Sequence, residues 1–144
     1  MPRRLPRPRP EKTPKRSGAA TEARFVSEVL RRGFDVLDTV GDYLPFDCLV
    51  SNRSGRFTRV QVKGSSYRAP KQQHFKVVAA TGSATKAPID PEQVDVLAAY
   101  VVPADAWYLI PVDRLASISL HFSPLNPESK AKYEVWRDAW NVFE

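Results

Sequence analysis

Pro45-Phe46-Asp47-Cys48-Leu49-Val50-Ser51, a turn at Asn52-Arg53-Ser54-Gly55, and then Arg56-Phe57-Thr58-Arg59-Val60-Gln61-Val62-Lys63 form the stretch whose reading decides the fold. Two short apolar-polar alternations flank turn residues, which predicts an antiparallel hairpin with strands over residues 46–51 and 56–63. Side chains at i and i+2 of a strand share a face. Gln61 and Lys63 therefore point together, while Val60 and Val62 enter the opposite layer. On the preceding strand Phe46, Cys48 and Val50 make the apolar face and leave Asp47 with Leu49 on the other. A register that sets Asp47 against Gln61 would hold their Cβ atoms roughly 5 Å apart, close enough to share one hard cation. A slip of one residue would destroy that geometry.

Working outward, a helix is predicted over residues 19–32, with Phe25, Val29 and the Ala23, Val26, Leu30 stripe at helical spacing and Gly33 as its stop. Residues 34–40 read as a strand, 64–73 as a polar loop, 74–80 as another strand and 81–92 as a second loop. Residues 94–102 form an apolar run of buried character, and 107–110 a short strand ended by Pro111. A closing helix is predicted over residues 128–142, where Tyr133, Trp136 and Trp140 suggest a face for core or subunit packing. Helix, several strands and helix in that order argue for a mixed α/β layer architecture.

These residues resemble the PD-(D/E)XK nuclease superfamily, in the branches that include group I intron homing endonucleases and Holliday junction resolvases. By that resemblance the segment from Thr21 to Val36 corresponds to the first helix and strand, with Glu22 at an acidic position that helps to hold metal. Residues 94–100 and 107–111 correspond to later core strands. Two departures stand out: Gln61 replaces the second acidic residue, and Phe46 separates the proline from Asp47. The homing endonuclease branch carries Gln at this place, so the substitution marks the branch. The resemblance implies a restriction-endonuclease-like core, a central mixed sheet flanked by helices. It also implies Mg²⁺, with Mn²⁺ as a substitute, held by Glu22, Asp47, Gln61 and the carbonyl of Val62.

The residue types suit that chemistry. Phosphodiester hydrolysis needs an activated water and stabilisation of charge growing on phosphate oxygens. Asp47 and Glu22 offer hard anionic oxygens, and Gln61 a neutral one that can ligate or orient a water. Lys63 can position the attacking water and stabilise the pentavalent state. The catalytic set expected is thus Asp47, Gln61, Lys63 and Glu22. Each alone has a structural reading: Asp47 as a turn cap, Gln61 and Lys63 as half-exposed strand positions, Glu22 as a first-turn acid.

Charge points to the partner. Among 144 residues the formal net charge is +6, and residues 1–17 account for all of it, with seven bases, one acid and five prolines. This predicts a disordered basic arm, joined to a single domain over residues 18–144. The arm reads as a flexible neutraliser of DNA phosphates or as a solubilising leader. Residues 48–89 hold eight cations and no acid, whereas residues 90–144 hold nine acids and four bases. Double-stranded DNA is the expected partner, contacted by Arg53, Arg56, Arg59, Ser65, Ser66, Arg68, Lys71 and Lys76. A homodimer or homotetramer is expected, because cutting two strands asks for two sites.

No apolar run approaches the ~20 residues that cross a bilayer, and the lone Cys48 suits a reducing cytoplasm, with nucleoid association when DNA is bound. Alternation turns Cys48 to the core. His74 and His121 stand too far apart in sequence to suggest a metal pair or a triad. No Gly-rich phosphate loop and no Cys/His zinc spacing is present, which excludes P-loop enzymes, kinases and zinc fingers. The expected activity is a metal-dependent DNA endonuclease, homing-type or structure-selective. The alternatives are a non-catalytic nucleic-acid-binding protein on the same scaffold and an interaction module that docks through the Trp136 and Trp140 segment.

Overall fold

The computed structural model describes residues 14–65, 74–82 and 85–144. Helix α1, Pro14–Arg31, precedes strands β1 (Asp35–Asp38), β2 (Cys48–Ser51) and β3 (Phe57–Gly64). Short strands β4 (Phe75–Val78), β5 (Ala80–Thr81) and β6 (Ala87–Pro88) follow, then β7 (Val96–Val101), β8 (Ala106–Pro111) and β9 (Ser119–Phe122). Five strands make one mixed sheet in the order β1-β2-β3-β7-β8. Only β3 and β7 are parallel neighbours within it. A parallel step needs a long connection. Here that connection carries β4 to β6, and β4 then pairs with β9 as a separate ribbon.

The hairpin turn forms as its composition predicts. Asn52 Oδ1 accepts the backbone N–H groups of Ser54 (3.0 Å) and Arg56 (2.9 Å), and Gly55 adopts φ +78°, a conformation that costs glycine little. Helix α1 ends where Gly33, at φ +89°, lets Phe34 N–H reach Val29 O at 3.2 Å and Gly33 N–H reach Leu30 O at 3.0 Å. That pair of bonds closes a Schellman cap. The helix begins earlier than residue 19: Pro14 to Ser17, expected in the arm, form its first turn, and proline is well suited to open a helix. Residues 1–13, the rest of the arm, lie outside the described residues.

Alternation sorts the sheet into two cores. On one face Cys48, Val50, Val60, Val62, Val96, Ala98, Tyr100, Trp107 and Leu109 pack beneath Phe25 and Val29 of α1. On the other, Leu97, Ala99, Tyr108 and Ile110 meet Phe75, Val77, Leu120 and Phe122 of the β4–β9 ribbon. Strands β7 and β8 are buried on both faces, as their unbroken apolar runs require. The expected helix layers on both sides become one helix and one ribbon: α1 is the single α-helix among the described residues.

The predicted helix over residues 128–142 does not form. Two 3-10 turns, Glu134–Trp136 and Trp140–Phe143, stand in its place, separated by Asp138 at φ +51°. The reason lies in where the aromatic rings go. Tyr133 and Trp136 pack into the ribbon-side core, whereas Trp140 and Phe143 enter the helix-side core. One helix would have carried those side chains on a single stripe. The chain instead wraps the β8 edge, with Asp138 N–H bonded to Trp107 O at 3.0 Å. Among the described residues no helix is long and apolar enough to cross a membrane.

Phe25, fully buried, contacts Trp107, Trp140 and Phe143 at ring-centroid distances of 5.5 to 6.2 Å. Phe25→Ala should cost about 3–5 kcal/mol in urea denaturation, because it empties the contact that pins α1.

Candidate active site

The site is built where β2 enters the sheet. The ladder of β2 and β3 pairs Cys48 with Val60, so the predicted register is present but stops one residue short of Asp47. Asp47 makes its own arrangement: its N–H donates to Val60 O at 2.9 Å, and its carboxylate Oδ2 accepts the Val62 N–H at 2.7 Å. The two bonds straddle Gln61. Thr39 Oγ1 donates to Asp47 O at 3.3 Å and steadies the backbone from the β1 side. With Oδ2 committed to the strand, Oδ1 is the oxygen left for a ligand.

Gln61 and Lys63 pair with Leu97 and Ala99 in the parallel ladder and share their face of the sheet, as alternation predicts. Gln61 Oε1 is buried and has no hydrogen-bond partner among the described residues. A buried carbonyl oxygen left without a donor is costly, so it marks a place that something electropositive should fill. The N–H and C=O of one strand residue point to the same edge. Since Val62 N–H reaches Asp47, the Val62 carbonyl is directed to the β2 side as well.

Glu22 arrives from the helix. Thr21 sits directly on β3: a Cβ added to Gly64 would lie 3.1 Å from Thr21 Oγ1. That close approach brings the next residue, Glu22, into the field of Asp47. Desolvation is the main cause that raises the Glu22 pKa, followed by the charges of Asp47, Asp38 and Asp42, with Lys63 opposing. Asp47 is likewise raised, chiefly by burial, while the Val62 N–H and the Lys63 ammonium pull it down. The structure thus gathers Glu22, Asp47 and Lys63 within electrostatic reach, beside Gln61.

Asp38 and Asp42 are additions that the sequence reading missed. Asp38 pairs with Cys48 across β1 and β2, one residue from Asp47. A reading of β1 and β2 as a second hairpin would have exposed it. Among the described residues no group of three or more His, Cys, Asp or Glu side chains stands close enough to hold a metal ion; what the site offers a cation is the like charge of Glu22 and Asp47 and one unpartnered neutral oxygen on Gln61. Cys48 is buried and its thiol is pushed up to about 12, mainly by burial, which keeps it neutral and supports the core reading.

The expected DNA contacts are redistributed. Arg59 is bound to Asp95, with Nε to Oδ2 at 3.0 Å and Nη2 to Oδ1 at 2.9 Å, and its Nη1 donates to Glu92 O at 2.6 Å. Its guanidinium staples β3 to the approach of β7. Ser65 is also corrected: it is buried, its Oγ accepts Val102 N–H at 3.1 Å, and its N–H bonds Tyr100 O at 2.8 Å. Arg53 and Arg56 are exposed at the hairpin tip, about 20 Å from Asp47 at ~3.3 Å per strand residue. Lys76 is exposed on β4. Ser66, Arg68 and Lys71 lie outside the described residues.

The chain from residue 12 to residue 143 matches the family model described as PD-(D/E)XK endonuclease. The chain belongs to this family. Among solved structures it is similar to a bacterial homing endonuclease, I-Ssp6803I, at 22% identity and a TM-score of 0.78, over 91% of this chain and 93% of that one. At that identity the likeness is one of fold. The Holliday junction resolvase Hjc of Archaeoglobus fulgidus, from a hyperthermophile, is also similar, at 17% identity and a TM-score of 0.47, over 74% of this chain and 84% of that one. No curated protein matches the chain. The PD-(D/E)XK assignment agrees with the mixed sheet and with the order helix, hairpin, parallel strand in which the site residues occur.

Two outcomes follow for this PD-(D/E)XK site. A carboxyl whose pKa is higher in the folded than in the unfolded state lowers stability once pH exceeds the unfolded value, and the loss is complete above the folded value. Asp47→Asn, which retains an oxygen for Val62 N–H, should therefore raise Tm at neutral pH. The gain should shrink as pH falls through the carboxyl range. Gly64→Ala should crowd Thr21 Oγ1, which is held by its bond to Ser17 O at 3.0 Å, and differential scanning calorimetry should register a lowered Tm.

Proposed function

We propose that this protein is a metal-dependent endonuclease that hydrolyses phosphodiester bonds in double-stranded DNA, of homing or structure-selective type. Family membership supports nuclease chemistry. The observation that carries the metal-dependent reading is the buried, unpartnered Gln61 Oε1 beside a carboxylate already held by Val62 N–H. Asp47 through Oδ1, Glu22, Gln61 Oε1 and the Val62 carbonyl are the groups that would hold Mg²⁺ or Mn²⁺. When bound, such an ion supplies positive charge at a non-bridging phosphate oxygen.

The remaining work belongs to the chain. Lys63 shares the face of Gln61 and, while protonated, donates to the attacking water and offsets the negative charge that grows on the phosphate. Asp47 must be ionised to act, and so must Glu22. Without a bound ion, burial raises both pKa values. Asp38 and Asp42 add to the negative field at Glu22 and strengthen the call for a cation. A homodimer or homotetramer would supply a second site for the opposite strand, and a cytoplasmic location suits an enzyme that acts on DNA.

The test is incubation of supercoiled plasmid and a four-way junction with and without Mg²⁺, beside Asp47→Ala and Lys63→Ala. Cleavage should require the ion and should drop by roughly 10²-fold or more in each variant, with binding in Ca²⁺ retained. Binding without cleavage in any divalent cation would favour the non-catalytic alternative, and cleavage undiminished in both variants would rule out this site.

A further inference from the structure

The outer face of the β4–β9 ribbon carries chemistry that the cutting site does not use. The ladder pairs Lys76 with His121 and Val78 with Ser119, so these side chains point away from the core that Phe75, Val77, Leu120 and Phe122 fill. His74 and Ser123 continue the same face, joined by a bond of 2.8 Å between His74 Nδ1 and Ser123 Oγ. The segment after β9 folds back beside this face. Between them lies a cleft of about 440 Å³, to which that segment adds Lys130 and Lys132. That volume has room for on the order of ten waters, which suits a hydrated polar ligand.

Charge makes the cleft selective. Among the described residues no carboxylate lines it, and neither lysine has an acid within ion-pair distance. Glu134, close in sequence, is turned to Arg137 at 3.3 Å and Tyr108 at 3.3 Å. The C-terminal third, acidic in sequence, thus contributes two of its four bases to one cationic face. We infer that this cleft holds the sugar-phosphate backbone of duplex DNA, as a contact distinct from the site of cutting. The inference rests on the endonuclease reading for its choice of polyanion. It is favoured over a free small anion because Lys76, paired with His121 on the same outer face of the ribbon, extends the cationic face beyond the cleft.

The donors also decide what part of DNA is held. Ammonium groups and hydroxyls suit phosphate oxygens, and among the described residues no arginine fork for a guanine edge lines the cleft. Asn126, the one side-chain amide among the described lining residues, already accepts the Glu128 N–H at 3.0 Å. Contact of this kind adds affinity and orientation without sequence preference.

The test uses the full chain and two unrelated mixed-sequence duplexes in fluorescence anisotropy without divalent ions, over a salt titration. Lys130→Gln with Lys132→Gln should weaken binding to both duplexes roughly tenfold at moderate salt, and should lower the slope of log K against log salt by about 2. Mg²⁺-dependent plasmid nicking at saturating protein should stay at the wild-type rate, and Tm should be unchanged. If that pair fails to fold, Lys76→Gln should weaken binding to both duplexes and lower the slope by about 1. A wild-type protein that nicks and binds, with a slope untouched by the variants, overturns the cleft and leaves the endonuclease reading standing. Loss on one duplex alone, or a change in oligomeric state without a change in slope, overturns it equally. A wild-type protein that neither binds nor nicks overturns both.

Discussion

The bond from Val62 N–H to Asp47 Oδ2, at 2.7 Å, is the constraint around which the rest is arranged. It lets a side chain take the place of the backbone acceptor that β2 would supply if its ladder ran two residues further, to Phe46. Ending the ladder there opens a gap at the mouth of two strands, with a carboxylate on one side and Gln61 and Lys63 on the other. Longer pairing would have closed that gap. The remaining features serve to hold the gap open and furnished: Thr39 on the Asp47 carbonyl, Thr21 seated on Gly64, and the Arg59–Asp95 pair that fixes the far end of β3 to β7.

The arrangement carries an electrostatic cost. Glu22 and Asp47 are partly desolvated and repel one another, and Asp38 and Asp42 worsen the repulsion at Glu22. Such crowding is common where binding energy is to be recovered from a ligand. Two cores of apolar side chains, one on each face of the sheet, hold the frame against it. The Asp95 carboxylate shows the opposite case: hydrogen bonding to Arg59 holds it below the usual range, so that pair contributes to stability at neutral pH. Arginine in the basic stretch is therefore not of one kind, and this one is spent within the fold.

Much was legible in advance, for reasons local to the chain. Alternation placed Gln61 with Lys63 and sent Cys48, Val50, Val60 and Val62 to the core. The Asn52 turn, the Gly33 stop and the buried character of β7 follow from backbone preferences and side-chain type acting over a few residues. Failures came where distant packing overrode a local pattern. The aromatic spacing of Tyr133, Trp136 and Trp140 suggested one helical stripe, yet the sheet has a core on each face and each core claims rings from that segment.

By itself, then, the sequence determined the hairpin, the catalytic candidates on it and the family they resemble, because period-two alternation and turn chemistry are written in adjacent residues. Tertiary structure alone decided which charges keep company. It set Asp38 beside Cys48, bound Arg59 to Asp95, buried Ser65 and brought Lys130 and Lys132 to the ribbon that carries Lys76 and His121. Those meetings join residues tens of positions apart, and they arise from the burial of the two apolar cores, which no local spacing of charged residues encodes.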